Sequence, residues 1–322
     1  MDKSELDPRV LEQIQKLEEK YEAMGQDISS YLDGLLHADY LTYWDYIHID
    51  TLLSLQNPKT SLKDEVIFII YHQITELYFR MVLWETDQLV LDEDLTVETF
   101  KKRLNRIINY FENLANSFDI MIDGMEKEQF LKFRMSLLPA SGFQSAQYRL
   151  IEFACTDLIN LVSPDKRNSS GQLPLREQYE NIYWKQGATE LATGKKTLTL
   201  KQFEEKYLDD FMEFISRYET KNINRIYLEK FAETDEGSIS KILRKLDALI
   251  NINWCLSHYK SAVRYLQKDP EDIKATGGTN WQKYLPPRFQ KIVFFPTLHN
   301  PAELKEWGKS WVKEEVFGQK GL

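Results

Sequence analysis

The run from Ser61 to Val90, SLKDEVIFIIYHQITELYFRMVLWETDQLV, holds neither glycine nor proline. A chain with a helix of this length has to build its core alongside it. Ser61 is the candidate N-cap, and Asp64 and Glu65 place negative charge in the first turn. At 100° per residue, Val66, Ile70, Ile74, Leu77 and Met81 fall in one narrow sector, expected to face the core. Phe68, His72, Phe79 and Leu83 form a second apolar sector nearly opposite. A helix apolar on two sides is buried or walls a cavity. His72 is therefore either a core histidine satisfied by a carbonyl or the one polar group of a pocket wall.

Sparse glycine (13) and proline (10) beside 13% aromatic residues favour long helices with bulky packing. The net charge of −9 is spread through the chain without a basic stripe, which argues against nucleic acid as a partner. No signal pattern opens the sequence and no apolar run approaches the ~20 residues that span a bilayer, so no membrane is expected. Cys155 and Cys255 have neither metal-site spacing nor disulfide density, which fits a cytoplasmic protein.

Pro8 to Met24 reads as an amphipathic helix stopped by Gly25. Leu41–Pro58 repeats Tyr43, Tyr46, Ile47, Leu52 and Leu53 at three- and four-residue steps. In Glu126–Glu152, Phe130, Phe133 and Leu137 share a helical face from which Arg134 projects. A guanidinium there needs an anion, either an internal carboxylate or that of a ligand. Pro139 breaks that helix and Ser141 is placed to cap the next. Residues 163–235 look like a helical excursion from a single core, so the whole chain, 1–322, is read as one domain. Ser238–Gln267 reads as an uninterrupted helix with a core stripe of Ile239, Leu243, Leu246 and Ile250. His258 lies at the edge of that stripe among Ser257, Ser261 and Ala262. Small neighbours leave space for a large flat group, as an axial haem ligand requires, and a packed core histidine is the competing reading. Thr276-Gly277-Gly278-Thr279 is a loop that can bring backbone close to a ligand.

Three segments together resemble the tryptophan 2,3-dioxygenases: FIIYHQITELYFRM from Phe68, FRMSLLPASGFQSAQYRLIEF from Phe133, and the His258 helix followed by TGGT. The Tyr43/Tyr46 segment is similar as well. The resemblance implies an all-α enzyme, one helical domain around a haem b in each subunit of a homotetramer. It implies insertion of O₂ across the indole C2–C3 bond of L-tryptophan to give N-formyl-L-kynurenine. By position, His258 matches the axial ligand of the haem iron. His72 matches the distal histidine that meets the indole N–H, and Phe68 packs on the indole. Ile69, Ile70 and Tyr71 go with the same pocket segment, and Phe130 is a pocket wall. Arg134 matches the partner of the substrate carboxylate, Thr276 a threonine near its ammonium and carboxylate, and Ser141 a serine near the haem. Tyr43 and Tyr46, within residues 1–58, match aromatics that a neighbouring subunit contributes. Two rival readings are a haem peroxygenase that hydroxylates an aromatic amino acid and a non-enzymatic haem-binding helical protein.

Overall fold

A computed structural model of the chain describes residues 7–37, 42–134, 142–189, 194–266 and 287–309. It divides into two units, Met1–Gln56 and Asn57–Leu322. The smaller unit holds α1 (Pro8–Ala23), α2 (Ile28–Leu36), α3 (Tyr43–Tyr46) and α4 (Ile49–Leu53). Asp7 and Asp27 cap the first two, and Gly25, at φ +68°, ends α1 as the sequence predicts. None of the four helices buries a single residue.

In the larger unit the long helix, α5, runs Asp64–Leu91. It begins three residues after the cap expected at Ser61, because the first-turn acids have other work. Glu65, almost fully buried, accepts from the Lys59 and Thr60 N–H groups at 2.7 and 2.8 Å and from the Thr60 hydroxyl at 2.6 Å. Burial pushes its carboxyl up, but those donors outweigh it and hold the pKa below the usual value. Asp64 accepts from the N–H of Glu126 at 2.6 Å, and its own N–H donates to Gln129 Oε1. This ties the start of α5 to the start of α8 (Lys127–Arg134).

The expected core stripe of α5 is in fact its exposed one: Ile70, Ile74 and Met81 are each 40% exposed and Leu77 53%. The buried side carries Tyr71, Thr75, Phe79, Val82, Leu83, Glu85, Thr86 and Leu89. Three of these are polar, and each is satisfied within the chain. Thr75 and Thr86 donate to the carbonyls of Tyr71 and Val82, and Glu85 pairs with Arg103 at 2.8 Å and Arg106 at 3.0 Å. Contrary to the sequence reading, α5 is long and apolar enough to cross a membrane by length and composition. It packs instead along α6 (Val97–Ser117), which carries both arginines, and α9 (Ala146–Cys155).

Ser145, not Ser141, caps α9, and Ser141 lies outside the described residues. From α9, Gln147 Nε2 donates to the Glu76 carbonyl and carboxylate at 2.8 and 2.9 Å, so the two sequence motifs touch. One turn on, Arg149 and Glu152 form a wholly buried pair at 3.0 Å, and the Tyr183 hydroxyl donates to Glu152 at 2.6 Å. Burial opposes both charges, and Glu152 is left raised. Burial is the largest effect at Arg149 too, but Glu152 together with Tyr183 and Tyr148 outweighs it, so Arg149 stays cationic, and an ionised Glu152 is the partner it requires.

After α10 (Leu158–Leu161), the excursion contains α11 (Arg167–Ser170), α12 (Leu175–Glu180) and α13 (Leu198–Tyr218), then α14 (Ile223–Ile226) leading into a π turn, Tyr227–Phe231. The last long helix is not continuous. α15 (Ser238–Ala248) and α16 (Cys255–Leu266) are joined by a second π turn, Leu249–Trp254. Against it lies the segment Ile292–Phe295, with Phe294 and Phe295 fully buried. Among the described residues there is no strand, only two isolated bridges, and the architecture is all-α.

Removing one member of a buried ion pair strands the other. Glu152→Ala should therefore lower unfolding free energy by about 3–5 kcal/mol in urea titration. A loss below about 1 kcal/mol, typical of exposed pairs, would mean the pair is solvated.

Candidate functional site

The start of α5, the junction after α6, α7 (Asp119–Asp123), α8, the second π turn and α16 enclose a set of aromatic rings. Phe68 lies 4.1 Å from the His72 ring, 5.5 Å from Phe133 and 6.2 Å from Phe130, centroid to centroid. Tyr71 stands edge-on to His72 at 6.0 Å and to Phe118 at 5.7 Å. Phe118 in turn lies 4.6 Å from His258, whose other neighbour is Trp254 at 4.7 Å. A continuous chain of rings thus links the two imidazoles. α16 is held on the opposite wall by Tyr265, whose ring lies tilted 4.3 Å from that of Phe130 with its hydroxyl donating to the Met125 carbonyl, and by Ser261, whose hydroxyl donates to the Met121 carbonyl. Ser261, read as clearance beside His258, therefore serves as an anchor.

Both imidazoles are held in the same way. His72 Nδ1 lies 2.7 Å from the Phe68 carbonyl, and His258 Nδ1 lies 3.3 Å from the Trp254 carbonyl. A carbonyl only accepts, so Nδ1 carries the proton in each, and each Nε2 keeps its lone pair. Burial lowers the His258 pKa to about 4, against the Trp254 carbonyl and with His72 and Arg149 adding to the decrease. Burial also lowers the pKa of His72, opposed by the Phe68 carbonyl and Glu76. Yet His72 retains an exposed surface. Two neutral imidazoles with a lone pair on Nε2 suit metal ligation or acceptance from an N–H, and the rings suit a flat aromatic guest.

Phe68, Tyr71, His72, Phe130 and His258 are thus brought together. Arg134, half-buried, ends α8 directly after fully buried Phe133. Ile69 is half-buried, and Ile70 lies on the exposed stripe of α5. Tyr43 and Tyr46, 71% and 73% exposed, belong to the smaller unit. Ser141 and Thr276, with the rest of the TGGT loop, lie outside the described residues. Sequence reasoning missed Phe118 and did not single out Trp254 as a neighbour of His258. The signal for Trp254 was its spacing, four residues before His258.

The site defines a class: an all-helical protein with two neutral imidazoles on different helices lining one aromatic space. A sequence model of the tryptophan 2,3-dioxygenase family matches residues 35–250. A tryptophan 2,3-dioxygenase of Ruegeria sp. (strain TM1040) is 42% identical over 118 residues, 36% of this chain and 42% of the relative. One of Bradyrhizobium diazoefficiens is 38% identical over 117 residues, 35% and 40% of the two chains. One of Bacillus thuringiensis (strain Al Hakam) is 36% identical over 124 residues, 37% and 44%. The matches span less than half the length of these curated relatives. The chain belongs to the tryptophan 2,3-dioxygenase family.

The depressed His258 pKa has a consequence for stability. Folding favours the neutral ring, so its contribution is complete above the ordinary value of 6.5 and is lost as pH falls towards about 4. In the ligand-free protein that loss should reach about 3 kcal/mol. Between these pH values the unfolding free energy from urea titration should fall by about that much more in wild type than in His258→Gln, and parallel pH curves would show an unburied ring.

Proposed function

We propose that this chain is a haem-dependent tryptophan 2,3-dioxygenase, opening the indole C2–C3 bond of L-tryptophan with O₂ to give N-formyl-L-kynurenine. Family membership supports the reading, and the family is haem-dependent in general. The observation that carries it is the chain of rings joining His72 to His258, each imidazole with Nδ1 bonded to a carbonyl and Nε2 without a hydrogen bond among the described residues. His258 fits a haem iron by donor chemistry, because a neutral imidazole whose other nitrogen donates to a carbonyl is the ligating form. Bound ferrous haem, one haem b per subunit, supplies the activation of O₂.

The protein's own residues bind and orient. Phe68, backed by Phe133 and Phe130, offers a face for the indole ring, with Ile69, Ile70 and Tyr71 completing that segment of α5. His72 Nε2 accepts a hydrogen bond from the indole N–H and fixes which edge of the ring faces the oxygen. The electron-rich indole reacts at carbon, so His72 orients and need not act as a strong base. Arg134 takes the substrate carboxylate with its planar fork. Ser141 near the haem and Thr276 near the ammonium and carboxylate complete the reading.

The assembly in this reading is a homotetramer. Ile70, Ile74, Leu77, Met81 and Trp84 stand exposed on α5 at alternating steps of four and three, the repeat of a helix-pairing seam. The helices of residues 1–56 bury nothing of their own. Both features are satisfied if copies associate and Tyr43 and Tyr46 of one copy reach the site of another. The free Cys155 and Cys255 suit the reducing cytoplasm as its compartment.

The first test is spectroscopic. Purified protein should bind haem with a Soret band that shifts on adding tryptophan, and the product should carry both oxygen atoms on an opened ring. A product with one added oxygen and an intact indole would replace this reading with hydroxylation. Arg134→Ala should raise KM for tryptophan by about 100-fold or more, the loss of a charge-assisted bidentate contact. Tryptamine, without the carboxylate, should lose little further affinity, and equal losses would make Arg134 structural. His72→Ala should keep ring cleavage with kcat lowered about 10- to 100-fold, less than loss of an obligatory base. It should also recover part of the rate towards 1-methyltryptophan, which has no N–H and collides with the imidazole. A variant inactive on both substrates while still binding haem and tryptophan would point to proton transfer.

A further inference from the structure

The π turn between α15 and α16 is not a stable conformation by itself. Its i→i+5 bonds hold about one residue more than an α-turn, and such turns persist where surrounding structure maintains them. What maintains this one is Asp247, in the last turn of α15 and fully buried. Asp247 Oδ1 accepts from Asn251 Nδ2 at 2.7 Å, inside the turn, and from the Phe294 N–H at 3.0 Å. Oδ2 accepts from the Phe294 and Phe295 N–H groups, both at 3.1 Å, with His299 Nε2 at 3.3 Å. One carboxylate therefore fastens the turn to a buried segment far along the chain.

The carbonyls of the widened turn are then taken by side chains of the next one. Cys255 Sγ lies 3.7 Å from the Ile250 carbonyl, and Ser257 Oγ donates to the Asn253 carbonyl at 3.1 Å. His258 Nδ1 donates to the Trp254 carbonyl, the last of the turn. The extra residue sets the rotational phase of α16. If the turn closed to an α-helix, each residue beyond it would rotate by about 100°. Ser257 would then occupy the angular place of His258, and the imidazole would leave the aromatic chain that leads to His72.

We infer that Asp247 is the positioning residue for His258, acting through the π turn that it holds open. The inference rests on the reading of His258 as the haem ligand. Residues that fix the orientation of a metal ligand typically change affinity about 10- to 100-fold when altered, and Asp247→Asn should weaken haem binding by that order. Its helix content should hold, while the ferrous iron–imidazole vibration shifts or disappears. Deleting Asn253, an exposed residue of the turn, removes the surplus residue and with it the need for Asp247. The double variant, Asp247→Asn lacking Asn253, should regain haem affinity and the iron–imidazole vibration.

Haem titration with Soret detection, resonance Raman spectra of the ferrous form and far-ultraviolet circular dichroism decide the matter. Asp247→Asn indistinguishable from wild type in haem affinity and vibration would overturn the inference. So would a double variant no better than the single one, since Asp247 would then serve only to dock the later segment. If Asp247→Asn alone does not fold, recovery of folded, haem-binding protein by the deletion still supports the inference, and failure to recover overturns it. Wild type that binds no haem, or His258→Ala that binds it as well as wild type, would sink the functional reading itself, a result distinct from these.

Discussion

The larger unit depends on which side of α5 turns inward. Two apolar sectors compete for burial, and area alone does not separate them. The polar groups decide. Glu85 sits in the sector with Phe79, Val82 and Leu89, and Arg103 and Arg106 on α6 meet it there. A carboxylate between two apolar surfaces is costly unless paired, so that sector can be buried only where those arginines wait. Once α5 is so rotated, Asp64 reaches α8, Glu76 reaches Gln147 on α9, and Phe68 and His72 line the aromatic space.

Within that frame a single local device prepares both imidazoles. Each gives its Nδ1 proton to the carbonyl four residues earlier on its own helix, so tautomer and ring direction follow from the helix itself. On α5 that helix is regular. On α16 it follows a π turn, and the direction of His258 depends on tertiary contacts that reach to Phe294. The two halves of the site therefore differ in what sustains them, although their local geometry is the same.

Much of the helical content was legible because it follows from local chemistry. Gly25 stops α1, and the Ile239, Leu243, Leu246 and Ile250 stripe is buried as its spacing requires. The site's aromatic residues Phe68, Phe130 and Phe133 and its two histidines were visible as residues of the right type in the right sectors. Phe118 was not, because a phenylalanine ending an amphipathic helix looks like any other core residue until α16 is laid beside it. The cap at Ser61 failed because Glu65 and Asp64 found partners in the preceding loop and in α8.

The sequence by itself determined that α5 is a helix, that it has two apolar faces, and that His72 and His258 stand on different helices. Those properties depend on residues within a turn or two of one another. Tertiary structure alone decided which face of α5 is inside, since the answer lies with Arg103 and Arg106 on another helix. It also decided that the helix expected from Ser238 to Gln267 is broken by a π turn, since the carboxylate of Asp247 is satisfied in part by backbone groups of Phe294 and Phe295. Periodicity registers apolar positions along one helix, whereas a buried charge is placed by partners that other parts of the chain supply.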